Sequence, residues 1–486
     1  MNKLVTQCLL YCMPIAAAAQ QGPLPVTIQT GATVTLPAGA NPSAVAVADF
    51  NQDRRPDVAV CEKGPGVAAI YLQSATGTFP AVLRTYPLGT APTGLVAVRL
   101  DNDPNRPFAD LVGLSGPSNR WTLLRNDLNG QATFSPPIIA PPAFGSGGCL
   151  SNAPQLLARY IDSDSYPDLA YTYDGSPCTI PDFRVEYQAY KGPNTLSRRY
   201  GFTTRYFTPS GISTADFDQD GLTDVVTADP ANNRFWMAYA TGDITYPTWN
   251  GDYYNFSSLG TRPTQVAAAD VNRDSRPDVA VANSGSNEVT VFLNVGYGRF
   301  GSETAYSLSG SPRRLLLQDL NNDYLPELLV LTADNKLQIF QHTTQPGVAR
   351  YGTPLVLSTG PDPVTLDLGD VNGDGIQDLV VACAGDNTVR TYLNTSLTTV
   401  TATASGRLSG LEVYPNPARE QLVIRGTGAD NELLQATLLD GTGRVVKAVP
   451  LPAQHRTFPV ADLPRGLYLL RLSSAQGTTT RRVVLE

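Results

Sequence analysis

Apolar and polar positions along this chain alternate in short runs cut by turn residues, with no helical spacing. The pattern is clearest between residues 263 and 308, where VAAAD, an acidic loop, DVAVAN, a GSN turn, EVTVFLN, a GYGRF turn and TAYSL follow one another. Period-two runs bounded by Gly, Asn and Asp predict four strands in hairpin order. The acidic segment recurs seven times: ADFNQDRRPDVAV from Ala48, RLDNDPNRPFADLVG from Arg99, YIDSDSYPDLAY from Tyr160, ADFDQDGLTDVV from Ala215, ADVNRDSRPDVAV from Ala269, QDLNNDYLPELLV from Gln318 and GDVNGDGIQDLVV from Gly369. Their final acids, Asp57, Asp110, Asp168, Asp224, Asp278, Glu327 and Asp378, lie 49 to 58 residues apart, a period suited to one four-stranded blade per repeat.

The expected fold is therefore all-β: a seven-bladed β-propeller over 22–395 followed by a small Ig-like β-sandwich. The last repeat lacks a fourth strand, because a Thr-, Ser- and Ala-rich linker (396–410) replaces it. At the other end VTIQTGATVTL (26–36) reads as a strand without a blade, and pairing the two would close the ring and cover both edges.

Composition supports many short strands, with 42 Gly and 39 Pro. The net charge of -8 and the lack of a Lys/Arg cluster argue against nucleic acid and anionic lipid as partners. Residues 1–19 have the form of a secretory signal, with Ala17 and Ala19 placed for cleavage; a lipid anchor on Cys12 is the rival reading. No later apolar run is long enough for a transmembrane helix. Export permits disulfides. Cys149 and Cys178, both in the irregular third repeat, are expected to form one, the alternative being two separate thiols. Cys61 and Cys383 sit at offsets from the preceding Asp that differ by one residue, which points them to opposite sheet faces and predicts buried thiols.

The acidic loops are candidate metal sites. Asp216, Asp218, Asp220 and Asp224 follow a DxDxDGxxD spacing that can aim alternate carboxylates at one point, and hard oxygen donors in that number suit Ca²⁺. Four more sets share the spacing: Asp49, Asn51, Asp53, Asp57; Asp270, Asn272, Asp274, Asp278; Asp319, Asn321, Asp323, Glu327; and Asp370, Asn372, Asp374, Asp378. About five structural calcium sites are expected. Arg99 and Tyr160 replace the first Asp of the second and third loops, where weak or absent metal is expected. Asp and Asn also suit turns for their own sake. Yet roughly half of the 43 acidic residues lie in these loops, and carboxylates about 4 Å apart repel by about 4 kcal/mol at an effective dielectric near 20.

These loops, with LNVGYGRF at 293–300, resemble the FG-GAP / VCBS repeat family over roughly residues 24–395. The resemblance implies a propeller related to the integrin α-subunit head, with roles in adhesion and ligand recognition.

From Leu411 the pattern changes to LEVYPNPAREQLVI, LLQATLLDGTGRVVKAV and FPVADLPRGLYLLRLSSAQGTTTRRVVLE. Alternation and the DGTG turn at 440–443 predict a small β-sandwich over 411–486. Pro415, Asn416 and Pro417, the Gly443 turn, and Gly466, Leu467 and Tyr468 resemble the C-terminal sorting domain of the Bacteroidetes type IX secretion system. That implies handling by the type IX machinery and delivery to the outer cell surface or medium. From the residues alone, a resident carbohydrate-binding or fibronectin-like module is the alternative.

Catalytic chemistry is sparse. The two histidines, His342 and His455, fall in different domains, and no GxSxG, HExxH or phosphate loop occurs. A non-enzymatic adhesion or ligand-binding module, with an extracellular glycan or protein as partner, is the expected function; a polysaccharide-degrading or other extracellular enzyme on a propeller scaffold is the alternative. Trp249, Tyr253 and Tyr254 in TYPTWNGDYYNF are candidate sugar-stacking residues, unless the run is a fourth strand. Tyr171, Tyr173, Phe183, Tyr187 and Tyr190 form a second candidate patch.

Overall fold

The computed structural model describes residues 25–396 and 412–485, leaving out 75–76, 81, 101–107, 116–119, 128, 141–155, 160–167, 174–183, 191–195, 204–208, 244–245, 255–259, 344–349, 416–417, 426–433, 440–444, 452–455, 462, 464 and 475–476, together with some side chains, chiefly those of 171–203 and 242–254. Cys149, Cys178, Phe183, His455, the signal segment and the linker beyond 396 thus lie outside the described residues. Every regular element described is a strand, and the chain divides into two compact units, Met1–Asn394 and Thr395–Glu486.

Seven four-stranded antiparallel sheets make up the described part of the first unit. In the fifth, the strands are Pro263–Ala269, Asp278–Asn283, Glu288–Gly296 and Arg299–Ser307. In six of the sheets the second strand is buried at every position, as in Asp57–Glu62, Asp278–Asn283 and Asp378–Cys383. Both its faces meet a neighbouring sheet, so it is written as an unbroken apolar run. Outer strands such as Val82–Pro87 are mostly exposed.

The inner strands set the architecture. Pro42–Ala48, Pro92–Val98, Leu156–Arg159, Ser210–Ala215, Pro263–Ala269, Pro312–Gln318 and Pro363–Gly369 touch in that order, and the last returns to the first. Small residues at many of their positions permit this approach, and the unit is a β-propeller. Closure falls in the seventh sheet, where Ile28–Thr35 pairs antiparallel with Thr388–Asn394, from Ile28↔Asn394 to Thr35↔Thr388. Val34, Val58, Val60 and Ala69 then share a core with Val371, Val380 and Ala382. Cys61 and Cys383 are buried free thiols in different core clusters.

The second unit has a three-stranded sheet (Glu412–Tyr414, Gln421–Arg425, Thr457–Pro459) and a four-stranded one ordered Val445–Leu451, Leu434–Leu439, Gly466–Ser474, Gly477–Leu485. Leu422, Ile424 and Phe458 of one sheet pack with Leu438, Leu470, Leu472 and Val483 of the other. No described helix is long and apolar enough to cross a membrane.

Candidate functional site

Each of the five complete acidic loops joins an inner strand to the buried second strand, so these five lie at the same end of the inner strands. Its second residue is an apolar anchor: Phe50, Phe217, Val271, Leu320 and Val371 are all buried. With that anchor fixed, the next residues turn back over it. Positions four and six take left-handed backbone in all five complete loops, at Gln52 and Arg54, Gln219 and Gly221, Arg273 and Ser275, Asn322 and Tyr324, and Gly373 and Gly375. Only three of these ten are glycines, so seven side chains tolerate a conformation that L-residues disfavour. One backbone shape is held despite its local cost.

That shape concentrates oxygens. In the fourth loop Asp216 accepts the N–H of Asp220 and of Gly221 at 3.1 and 2.9 Å, Asp218 accepts the N–H of Asp220 at 3.2 Å, and Asp220 accepts that of Leu222 at 2.8 Å. The same bonds recur in the other four, for example Asp270 with Asp274 and Ser275 at 3.1 and 2.7 Å. Among the described residues, one group of three acids brings ligand oxygens within 4.8 Å of one another: Asp216, Asp218 and Asp224. Elsewhere the third position is Asn, whose amide donates to the fifth-position Asp, as Asn321 does to Asp323 at 3.0 Å. Arg55 and Arg276 also reach Asp53 and Asp274, adding a local positive charge to the first and fifth loops. The fourth loop therefore has the most acidic donor set and no such internal cation.

The final acid has a second task that the spacing did not reveal. In the first, fourth and fifth repeats its two oxygens accept backbone N–H groups from the loop anchor and from the end of the third strand: Phe50 and Gln73 on Asp57 at 3.0 and 2.9 Å, Phe217 and Ala240 on Asp224 at 2.8 Å each, Val271 and Asn294 on Asp278 at 2.9 and 2.7 Å. The residue so held then crosses to the preceding blade. Asn126 donates its side-chain amide to the Phe50 carbonyl at 2.9 Å, Asn294 to Phe217 at 2.8 Å and Asn394 to Leu320 at 2.7 Å, while Gln73 bonds Val371 across the point of closure. Four blades are thus bolted to their neighbours, while the fourth sheet has Ala240 at this place, without a side-chain amide. In the sixth sheet this place is taken by His342, which like Asn126 makes an isolated bridge to an aromatic residue. It is buried with neither ring nitrogen hydrogen-bonded, and burial depresses its pKa to about 4.

Burial pushes Asp57, Asp224, Asp278 and Asp378 up to about 7 and Glu327 to about 8; bound N–H groups oppose the shift and the other loop carboxylates add to it. Asp218 is raised by burial and by repulsion from Asp220 and Asp216. An oxygen-rich, carboxylate-crowded loop fits a hard divalent cation, which would keep these groups ionised.

Of the weaker loops, Arg99 is exposed at the second, and residues 101–107 and 160–167 fall outside the described residues. The TYPTWNGDYYNF run is backbone of an outer strand, Tyr246–Tyr254, with Trp249 opposite Ala240 and Tyr254 opposite Phe235. It is a fourth strand, the alternative weighed against a sugar-stacking loop, and its side chains lie outside the description. Tyr171 and Tyr173, and Tyr187 and Tyr190, likewise belong to paired strands.

A repeat propeller with cation-type loops, joined to a two-sheet domain, is the class these features define. Residues 216–281 and 319–381 match the FG-GAP-like repeat, and 412–486 match the secretion system C-terminal sorting domain. The chain carries FG-GAP-like repeats ahead of a type IX sorting domain, which marks it for export to the cell surface or extracellular space. No curated protein matches in sequence. Similar solved structures include BBS1N in complex with ARL6DN (10% identity, TM-score 0.48, 75% of this chain and 96% of that one). Others are an Agrocybe aegerita lectin recognising non-reducing terminal N-acetylglucosamine (16%, 0.46, 67% and 80%) and the Pseudomonas aeruginosa periplasmic gluconolactonase PpgL (15%, 0.45, 65% and 85%).

Proposed function

We propose that this is a secreted or cell-surface adhesion and ligand-binding module, a seven-bladed ring whose five complete acidic loops hold structural calcium. The observation that carries the metal reading is the shared left-handed backbone of those loops, kept where only three of ten positions are glycine, which gathers carboxylates that repel one another without a cation. The sites are spread around the ring, so the calcium is structural. A ligand surface on the same end is supported by Tyr297, 83% exposed beside Gly298, whose N–H bonds the Phe217 carbonyl of the fourth loop at 3.1 Å. Tyr324, also exposed, lies in the sixth loop with the Arg273 guanidinium over its ring at 5.4 Å. Open aromatic faces beside polar loops suit glycans.

The test is calcium titration of the secreted protein by calorimetry, with Asp218→Asn alongside. Saturable binding whose tightest site is lost in the variant, and a melting temperature lowered by chelator, are expected. No calcium heat and no chelator effect would leave only turn chemistry for the loops. A polysaccharide screen in millimolar calcium, with an assay for released sugar, tests the module: calcium-dependent binding without product is expected, and product release would establish an enzyme.

A further inference from the structure

Inside the ring lies a cavity of about 700 Å³ lined by six of the seven inner strands, among them Ala44, Gly94, Leu157, Gln265, Arg314 and Asp367. Lys63, Arg313 and Asp362 line it at the end of those strands away from the acidic loops, and Gln318 and Leu368 line it toward the other end. In a chain of net charge -8, this lining carries three cations against two anions. Arg313 is paired with Asp362 at 3.0 Å. Arg314 has no such partner: its buried Nε makes no hydrogen bond, and Asp367 is the one charge it senses appreciably. Asp367 is itself committed to backbone, accepting the Val47 N–H at 2.9 Å and that of Leu368, and its burial favours the neutral acid. The hydroxyl of Thr93, on the same lining, is also buried without a partner. A guanidinium Nε that is buried without an acceptor is costly unless something accepts from it.

We propose that this cavity binds a small carboxylate, held by the Arg314 guanidinium. A guanidinium presents parallel donors that match the two oxygens of a carboxylate. A single negative charge is also what one guanidinium without an ion-pair partner can balance, and a phosphate dianion exceeds it. The site is independent of the calcium reading, because none of the loop acids lines it.

Calorimetric titration of the secreted protein with acetate, lactate and glucuronate at fixed ionic strength, and with inorganic phosphate for comparison, tests the assignment. At least one carboxylate is expected to bind saturably at one per chain, with phosphate weaker by about tenfold or more. Arg314→Gln should weaken binding by about tenfold or more, Arg314→Lys by less, and Arg313→Gln by less than about threefold. The carboxylate should also raise the melting temperature of the parent and leave that of Arg314→Leu unchanged, a readout that needs only a folded variant. Absence of saturable binding, equal binding by Arg314→Gln, or phosphate bound as tightly as the best carboxylate would each overturn the proposal.

Discussion

At the scale of the residue, the final acid of the first, fourth and fifth repeats serves two purposes that pull in opposite directions. As an acceptor for two buried N–H groups it is a structural fastener; as a carboxylate out of water beside other carboxylates it resists ionisation. Asp278→Ala separates the two. Leaving the Val271 and Asn294 N–H groups without their acceptor should cost about 2–4 kcal/mol in chelator as well as in calcium, measured by urea unfolding. A loss confined to calcium buffer would mean that the acid acts only through the metal. His342 is the converse case, a buried group whose ring makes no hydrogen bond where four of the equivalent positions carry Asn or Gln. His342→Asn should supply the missing donor toward the neighbouring loop and raise stability by about 1 kcal/mol in thermal melts. Because the folded-state pKa of His342 is lowered from 6.5 to about 4, its contribution is full above pH 6.5 and is lost as pH falls toward 4, a loss the Asn variant should not show.

At the scale of the element, much was legible because the repeat encodes it locally. DVAVAN, bounded by an acidic loop and a GSN turn, could hardly be other than a short strand. VTIQTGATVTL read as a strand in search of a sheet, and its partner is Thr388–Asn394. The aromatic run around Trp249 was ambiguous because outer strands are half exposed and carry mixed composition. The bolts between blades went unseen, since each joins residues more than 70 positions apart. A signal did exist: Gln73, Asn126, Asn294 and Asn394 all stand 16 residues after the final acid of their repeat. A polar amide fixed at that distance, at the end of an apolar strand, is hard to explain by turn chemistry alone. The left-handed residues were legible only in part, as Gly221, Gly373 and Gly375; Arg54 and Tyr324 give no hint of such a backbone.

At the scale of the whole molecule, the titrations of the ring sum. Five final acids are shifted upward and one histidine downward, so the acids dominate. Between about pH 4 and pH 7 to 8 the cation-free native state binds more protons than the unfolded chain, and stability must fall as pH rises through that window. Melting temperatures in chelator should therefore be higher at pH 5 than at pH 8, and calcium should shrink or reverse the difference. A chelated protein that grows more stable toward pH 8 would show that the loop acids are not held in the protonated form.

Closure by Ile28–Thr35 also decides how the ring meets mechanical load. Ile28 and Asn394 are paired, so the chain enters and leaves the seventh sheet at the same end of one two-strand ladder. Tension applied between those two points would peel that ladder open one hydrogen bond at a time, instead of shearing all of them together. The place where the circle is completed is thus where a pull on its two ends would first undo it, while the other six sheets, continuous in sequence from strand to strand, carry no such seam.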